Sequence, residues 1–141
     1  MTHKRTSIRT ALVTLLSGQT DCGTHVYGSR LKPLGADELP AILVSTGSED
    51  NELNKTTGNA PWLRRLEVRL DIIVKAVNGY EDAADAILAQ IEARVFDTVA
   101  HNNLGGYTLS IELASIGDPD MDDSTEKPVI RLPVILRVNY L

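Results

Sequence analysis

The sequence predicts an α+β fold: a mixed, mainly antiparallel β-sheet with two α-helices packed on one face. Three observations carry that expectation. Apolar residues recur at helical spacing in two segments, they alternate with polar residues in several others, and most of the alternating segments follow one another with no helix between them, which favours antiparallel pairing. The chain has 141 residues, 43% of them hydrophobic, and at this length roughly 68–70% of the unfolded surface is buried on folding. One domain spanning residues 1–141 is expected.

Ile8, Leu12, Leu15 and Leu16 lie on one stripe of a helix from about His3 to Ser17, stopped at Gly18. Lys4, Arg5 and Arg9 oppose the helix dipole, so either the helix starts near Ser7 or these side chains have acidic partners elsewhere. The basic start followed by the run Ala11 to Leu16 has a superficial likeness to a signal peptide, but the run is short and lacks a small-residue cleavage site. No other stretch approaches the roughly 20 apolar residues that cross a bilayer, so an intracellular, soluble protein without a membrane role is expected.

His25-Val26-Tyr27 and Ala41 to Thr46 read as strands, and Gly47 to Pro61 reads as a long polar loop. From Trp62 to Val77, Leu66, Val68, Leu70, Ile72 and Val74 face one way, with Arg65, Glu67, Arg69, Asp71 and Lys75 opposite. That charged face either meets water or meets another subunit. Asn78-Gly79 is a turn, and Ala84, Ile87, Leu88, Ile91 and Val95 mark a second helix from about Tyr80 to Val99, its first turn carrying Glu81 and Asp82. Residues Asn102 to Gly106 break it. Tyr107 to Ile116 alternates through Leu109, Ile111 and Leu113, and an acidic loop, Gly117 to Lys127, leads to a last strand with Ile130, Leu132, Val134, Leu136, Val138 and Tyr140 on one face. Pro133 places that strand at an edge or at a bulge.

Chemistry is weakly represented. Asp118, Asp120, Asp122 and Asp123 resemble the start of a calcium loop, but its sixth position is Asp123 rather than Gly, and its twelfth is Val129 rather than Glu. A solvated acidic turn is expected. His3, His25 and His101 lack the pairwise spacing of metal ligands, Cys22 is the only cysteine, and no nucleophile elbow, P-loop or dinucleotide fingerprint occurs. The reading is of no enzyme, no cofactor and no metal. A net charge of -5 and six aromatic residues in all disfavour nucleic acid as a tight ligand.

Val26-Tyr27-Gly28-Ser29-Arg30, followed by Gly35-Ala36-Asp37-Glu38-Leu39-Pro40-Ala41-Ile42-Leu43-Val44, resembles the tail terminator family of long-tailed phages, typified by the lambda minor tail protein U. The remaining elements follow in the family's order over nearly the whole chain. The resemblance implies a structural subunit of a hexameric ring that ends tail-tube polymerisation and presents a joining surface to the head. Its implied partners are other copies of itself, the tail tube protein and a head-tail connector or neck protein, with DNA passing through the lumen without specific binding. Its implied place is the head-proximal end of the virion tail, assembled in the host cytoplasm. No catalytic residue is carried over. Ring contacts are expected from Glu49, Asp50 and Glu52 in one loop and Asp118, Asp120 and Asp122 in the other, with Arg65, Arg69, Arg131 and Arg137 of the charged strand face as further contacts or lumen lining. A connector or neck subunit is the alternative within this class, and a monomeric enzyme or ligand-binding domain is the alternative outside it.

Overall fold

The computed structural model describes residues 3–30, 34–53, 62–122 and 128–141. In chain order the elements are α1 (Lys4–Leu16), β1 (Val26–Gly28), β2 (Ala41–Leu53), β3 (Trp62–Lys75), α2 (Tyr80–Phe96), α3 (Val99–Asn102), β4 (Ser110–Ile116), β5 (Asp120–Asp122) and β6 (Val129–Tyr140). Six strands form one sheet in the order β1-β2-β3-β6-β4, and β5 joins β6 beyond the end of β4. Every pairing is antiparallel except β1 with β2, so the α+β class holds.

Alternation builds the core. Leu66, Val68, Leu70, Ile72 and Val74 of β3 lie beside Ile42 and Val44 of β2 and the even-numbered residues of β6 from Ile130 to Tyr140. All are buried against Ile8, Leu12 and Leu16 of α1 and Ala84, Ile87, Ile91 and Val95 of α2. Helix α1 packs on β1 and β2 while α2 packs on β3.

Helix α1 starts at Lys4, not near Ser7, and among the described residues its basic side chains meet backbone and hydroxyl oxygens instead of the acidic partners expected. His3 caps the helix by accepting a hydrogen bond from the Arg5 amide on Nδ1, the Lys4 ammonium donates to the Leu141 backbone oxygen at 2.5 Å, and Arg5 Nη2 donates to the Gly47 carbonyl at 2.9 Å. Leu15, on the expected stripe, is only half-buried.

Six expectations are corrected. The residues from Gly47 onward are not a loop at their start: β2 continues through a bulge between Thr46 and Glu49 as far as Leu53, pairing with β3 throughout. Polar residues fit this strand because Gly47, Ser48, Asp50 and Asn51 are exposed. The rest of that segment, and residues 123–127 of the acidic loop, lie outside the described residues. The acidic loop also contains a strand, β5. Strand β1 pairs with β2 in parallel, against the antiparallel pairing expected of strands linked without a helix. A third helix, α3, is added after α2.

Pro133 lies in an interior strand, not at an edge. Its carbonyl accepts from the Gly117 amide at 2.9 Å, and in an antiparallel ladder the N and O of one residue face the same neighbour. The missing donor therefore points into the gap between β4 and β5, where no ladder bond is lost. Gly117 is needed there because a Cβ would come within 2.7 Å of Pro133 Cγ. Finally, of Leu109, Ile111 and Leu113 only Ile111 is buried; α3 and its following turn cover that residue's end of β4, and a bulge between Leu113 and Ser115 follows.

Candidate functional site

The sheet face opposite the helices gathers most of the charged residues singled out in the sequence. Register sets them in rows. Asp50 lies opposite Arg65, Arg137 lies between Glu67 and Glu112, and Asp120 lies opposite Arg131. Each row alternates in sign, and opposite charges facing each other across strands stabilise a sheet modestly. Arg137 Nη1 stands 4.0 Å from Glu112 Oε2. Arg69 Nε donates to Asp71 Oδ1 at 2.7 Å, which keeps a nearly buried carboxylate satisfied amid the apolar centre of the face at Leu43, Ile73 and Ile135. This face is locally neutralised instead of carrying one sign.

Glu49 belongs elsewhere. The bulge turns it to the helix side, where its side chain is 9% exposed, accepts a hydrogen bond from the Tyr140 hydroxyl, and stands 3.6 Å from Arg64 Nη1. Arg64 also lies over the Tyr140 ring and reaches His3 Nε2 at 3.4 Å. Burial and the neighbouring Glu49 push the Tyr140 hydroxyl up from its ordinary range. The expectation of Glu49 as an exposed loop charge is therefore wrong, because a strand continues where a loop was expected. Glu52 stands opposite Leu63 in the ladder, and Asp118 and Asp122 are exposed at and beyond the β4–β5 gap. The ten expected contact residues thus divide among the open face, the buried cluster around Glu49 and the β5 end; they do not converge on one patch.

Three arrangements escaped the sequence reading. In the first, Glu38 accepts from Arg30 Nη1 at 2.6 Å and Nη2 at 2.9 Å, from the Tyr27 hydroxyl at 3.1 Å and from the Gly35 amide at 3.0 Å. The Arg30 guanidinium, packed 4.5 Å from the Tyr27 ring centroid, is the chief reason the Glu38 carboxyl is held down at about 2. This clasp joins the two halves of the segment that carries the family resemblance. In the second, His101 Nδ1 pairs with Asp97 Oδ1 at 2.5 Å beside a groove of 760 Å³ between α1 and residues 100–107, whose α1 wall bears the hydroxyls of Ser7, Thr10 and Thr14. An Asp–His pair becomes catalytic when the other ring nitrogen reaches a nucleophile. Among the described residues no side-chain hydroxyl bonds to the His101 ring. The pair, with Thr98 Oγ1 accepting from the His101 amide, instead pins α3 to the end of α2. The i,i+4 spacing of Asp97 and His101 is the sequence signal for this pair, and it differs from the spacing of two histidines that marks a metal site.

The third is the apolar flank around β4. Phe96, Val99, Tyr107, Leu109, Leu113 and Ile116 are all exposed, as are Val77 and Met121 near the β3–α2 turn and β5. Cys22, by contrast, is buried, and burial pushes its thiol up to about 11, so it is inert packing rather than a nucleophile. Among the described residues no three metal-binding side chains cluster, and no helix is long and apolar enough to cross a membrane.

No protein-family model matches the chain, and no curated protein matches its sequence. A solved structure does share its fold. A chain of the structure described as "Virion of native gene transfer agent (GTA) particle" superposes with a TM-score of 0.50 at 18% identity, over 92% of this chain and 83% of that one. At that identity the likeness shows that the two chains have a common fold.

Proposed function

We propose that this chain is a structural, non-catalytic subunit of a phage-like virion, and that it ends the tail tube as a hexameric ring. The observation that carries the reading is the fold shared over 92% of the chain with a component of a gene transfer agent virion. The resemblance of residues 26–44 to tail terminators supports it, and the Arg30–Glu38–Tyr27 clasp gives that segment a defined structural purpose.

The physics of a cap follows from symmetry. A tube grows because each ring offers the next the surface it has just used; growth stops when a subunit binds that surface and presents a different one. One rim of the ring binds the tail tube protein and the other a connector or neck protein, at the head-proximal end of the tail. The sign-alternating sheet face suits a lumen through which DNA slides, since it lacks the run of Lys and Arg that would release phosphate counterions and bind. A connector ring is the second reading, supported by the same shared fold.

The test is to incubate purified protein with isolated tail tubes and image them. A ring of extra density on one end of each tube, of mass six times 15.4 kDa, supports termination. Tubes left bare, with the protein captured by DNA-filled heads instead, would favour the connector. A chain of monomer mass that binds neither would sink both readings.

A further inference from the structure

The apolar side chains left exposed are unevenly placed. Leu113 lies opposite Leu136, Ile116 opposite Val134 and Met121 opposite Ile130, so all three project from the helix side of the sheet, alongside core residues. Yet they are 38%, 44% and 57% exposed. The cause is geometric: among the described residues α1 packs chiefly on β1 and β2 and α2 on β3, which leaves this stretch of the outer column without close helical cover. Besides this ridge, Phe96, Val99, Tyr107 and Leu109, on the same flank of the fold, are exposed as well, and an exposed apolar patch on a single chain marks a contact site.

The backbone of β4 is open in the same place. At Ile111 the edge is closed, because the Asn102 side chain donates to its carbonyl at 3.1 Å and accepts from its amide at 3.2 Å. From Leu113 to Ile116 the strand pairs with β6 alone, and an apolar strand edge without a cover is an association site.

Charge identifies the occupant. The flank of α2 beside the ridge carries Glu81 and Asp85, which with Tyr80, Pro119, Ile130 and Leu132 line a hollow of 240 Å³, and Glu92 continues that row two helical turns on. None of these three carboxylates makes an ion pair among the described residues. At the opposite edge of the molecule, Arg5 and Arg9 of α1 lie over β1 and β2: Arg5 donates to a carbonyl, Arg9 donates to Thr46 Oγ1 at 3.3 Å, and neither meets a carboxylate among the described residues.

We propose that copies of this chain associate head to tail, the acid-rimmed apolar ridge of α2, β4 and β5 on one copy receiving the arginine-bearing α1–β1 edge of the next. The contact is heterologous, as a closed ring requires. It rests on the ring reading only for the number of copies.

The test uses complementary charge reversals. Asp85→Lys with Glu92→Lys makes one variant and Arg5→Glu with Arg9→Glu the other; both change exposed or half-exposed groups, and an unaltered circular-dichroism spectrum and cooperative melt establish folding. In sedimentation across a concentration series the wild type exceeds monomer mass, each variant alone associates at least about tenfold more weakly, and an equal mixture of the two recovers assembly. Ile116→Asp weakens assembly without rescue by either. A wild type that stays monomeric, variants that assemble normally, or a mixture that fails to recover would overturn the contact. If the wild type forms rings that ignore these substitutions, the contact fails and the ring reading stands. If the charge pairs rescue one another but the assemblies neither close nor bind tubes, the contact stands and the ring reading fails.

Discussion

The two faces of the sheet are made by alternate residues of the same strands, yet they are held by different physics. On the helix side Leu66, Val68, Leu70 and Ile72 are fully buried among aliphatic neighbours, where each side chain contributes about 1.5–3 kcal/mol by leaving water. On the open side Arg65 faces Asp50 of β2 and Glu67 faces Arg137 of β6, each exposed pair worth about 0–1 kcal/mol, while Arg69 pairs with Asp71 along β3 itself. Most of the buried apolar surface lies on one face; the other, outside its centre at Ala41, Ile73 and Asp71, is free to be shaped by contact. The division also explains why the exposed ridge at Leu113 and Ile116 stands out: it is the helix-side pattern continued past the last helix.

The sharpest way to break this comparison is to put one charge on each face. Leu70→Asp or Ile91→Asp should unfold the chain, a loss of more than about 4 kcal/mol, because an unpaired carboxylate is forced into a dry core. Ile135→Asp, on the open face beside Arg69, should cost roughly 1 kcal/mol. Thermal melts followed by circular dichroism measure both, and equal losses would show that the open face is as dry as the core.

A second contrast concerns neighbours in β2. Glu49→Lys strands the Tyr140 hydroxyl and sets a second cation beside Arg64, and should destabilise by about 2–3 kcal/mol. Asp50→Lys, exposed on the other side, should change stability by less than about 0.5 kcal/mol. Denaturant melts that rank Asp50 above Glu49 would reverse the assignment of faces across the bulge.

Smaller again is the packing of Gly117 on Pro133. Gly117→Ala should cost about 1–2 kcal/mol, since a methyl has no room against the proline ring. In a Pro133→Ala background the same change should cost clearly less, and additive losses would mean that the two residues do not meet.

The smallest effect is acid-sensitive. Glu38 has a folded-state pKa of about 2, below its ordinary 4.5, so its contribution is complete above the higher value and is lost as pH falls towards the lower. Melting temperature should decline across that window, and Arg30→Ala should make the decline shallower. An unchanged slope would remove the clasp from the account.

The core was legible in the sequence because β3, β6 and α2 carry unbroken periodicity at spacings of two and three to four: the helix-side residues of β3 and β6 and all four core positions of α2 were read from the pattern. The extension of β2 was not, because Gly47 to Leu53 is polar where the strand runs beyond the core, and polarity there marks loss of cover rather than loss of strand. The bulge between Thr46 and Glu49 compounded this by sending Glu49 inward, away from the water that its charge suggested. Pro133 misled for a related reason: it forbids one ladder bond, and the gap between β4 and β5 supplies a place where none is needed. Contact surfaces were less legible still. Charge in the sequence points to the loops and the open face, whereas the open flank is marked by Leu113, Ile116 and Met121, whose exposure depends on which strands the helices leave uncovered.

Electron microscopy of lysates from a null mutant of the source particle bears directly on the proposal that this chain stops a growing tube. The account predicts tails longer and more variable than normal, beside separate filled heads, because both the stop and the joining surface are missing. Tails of normal, uniform length that fail only to join heads would contradict it.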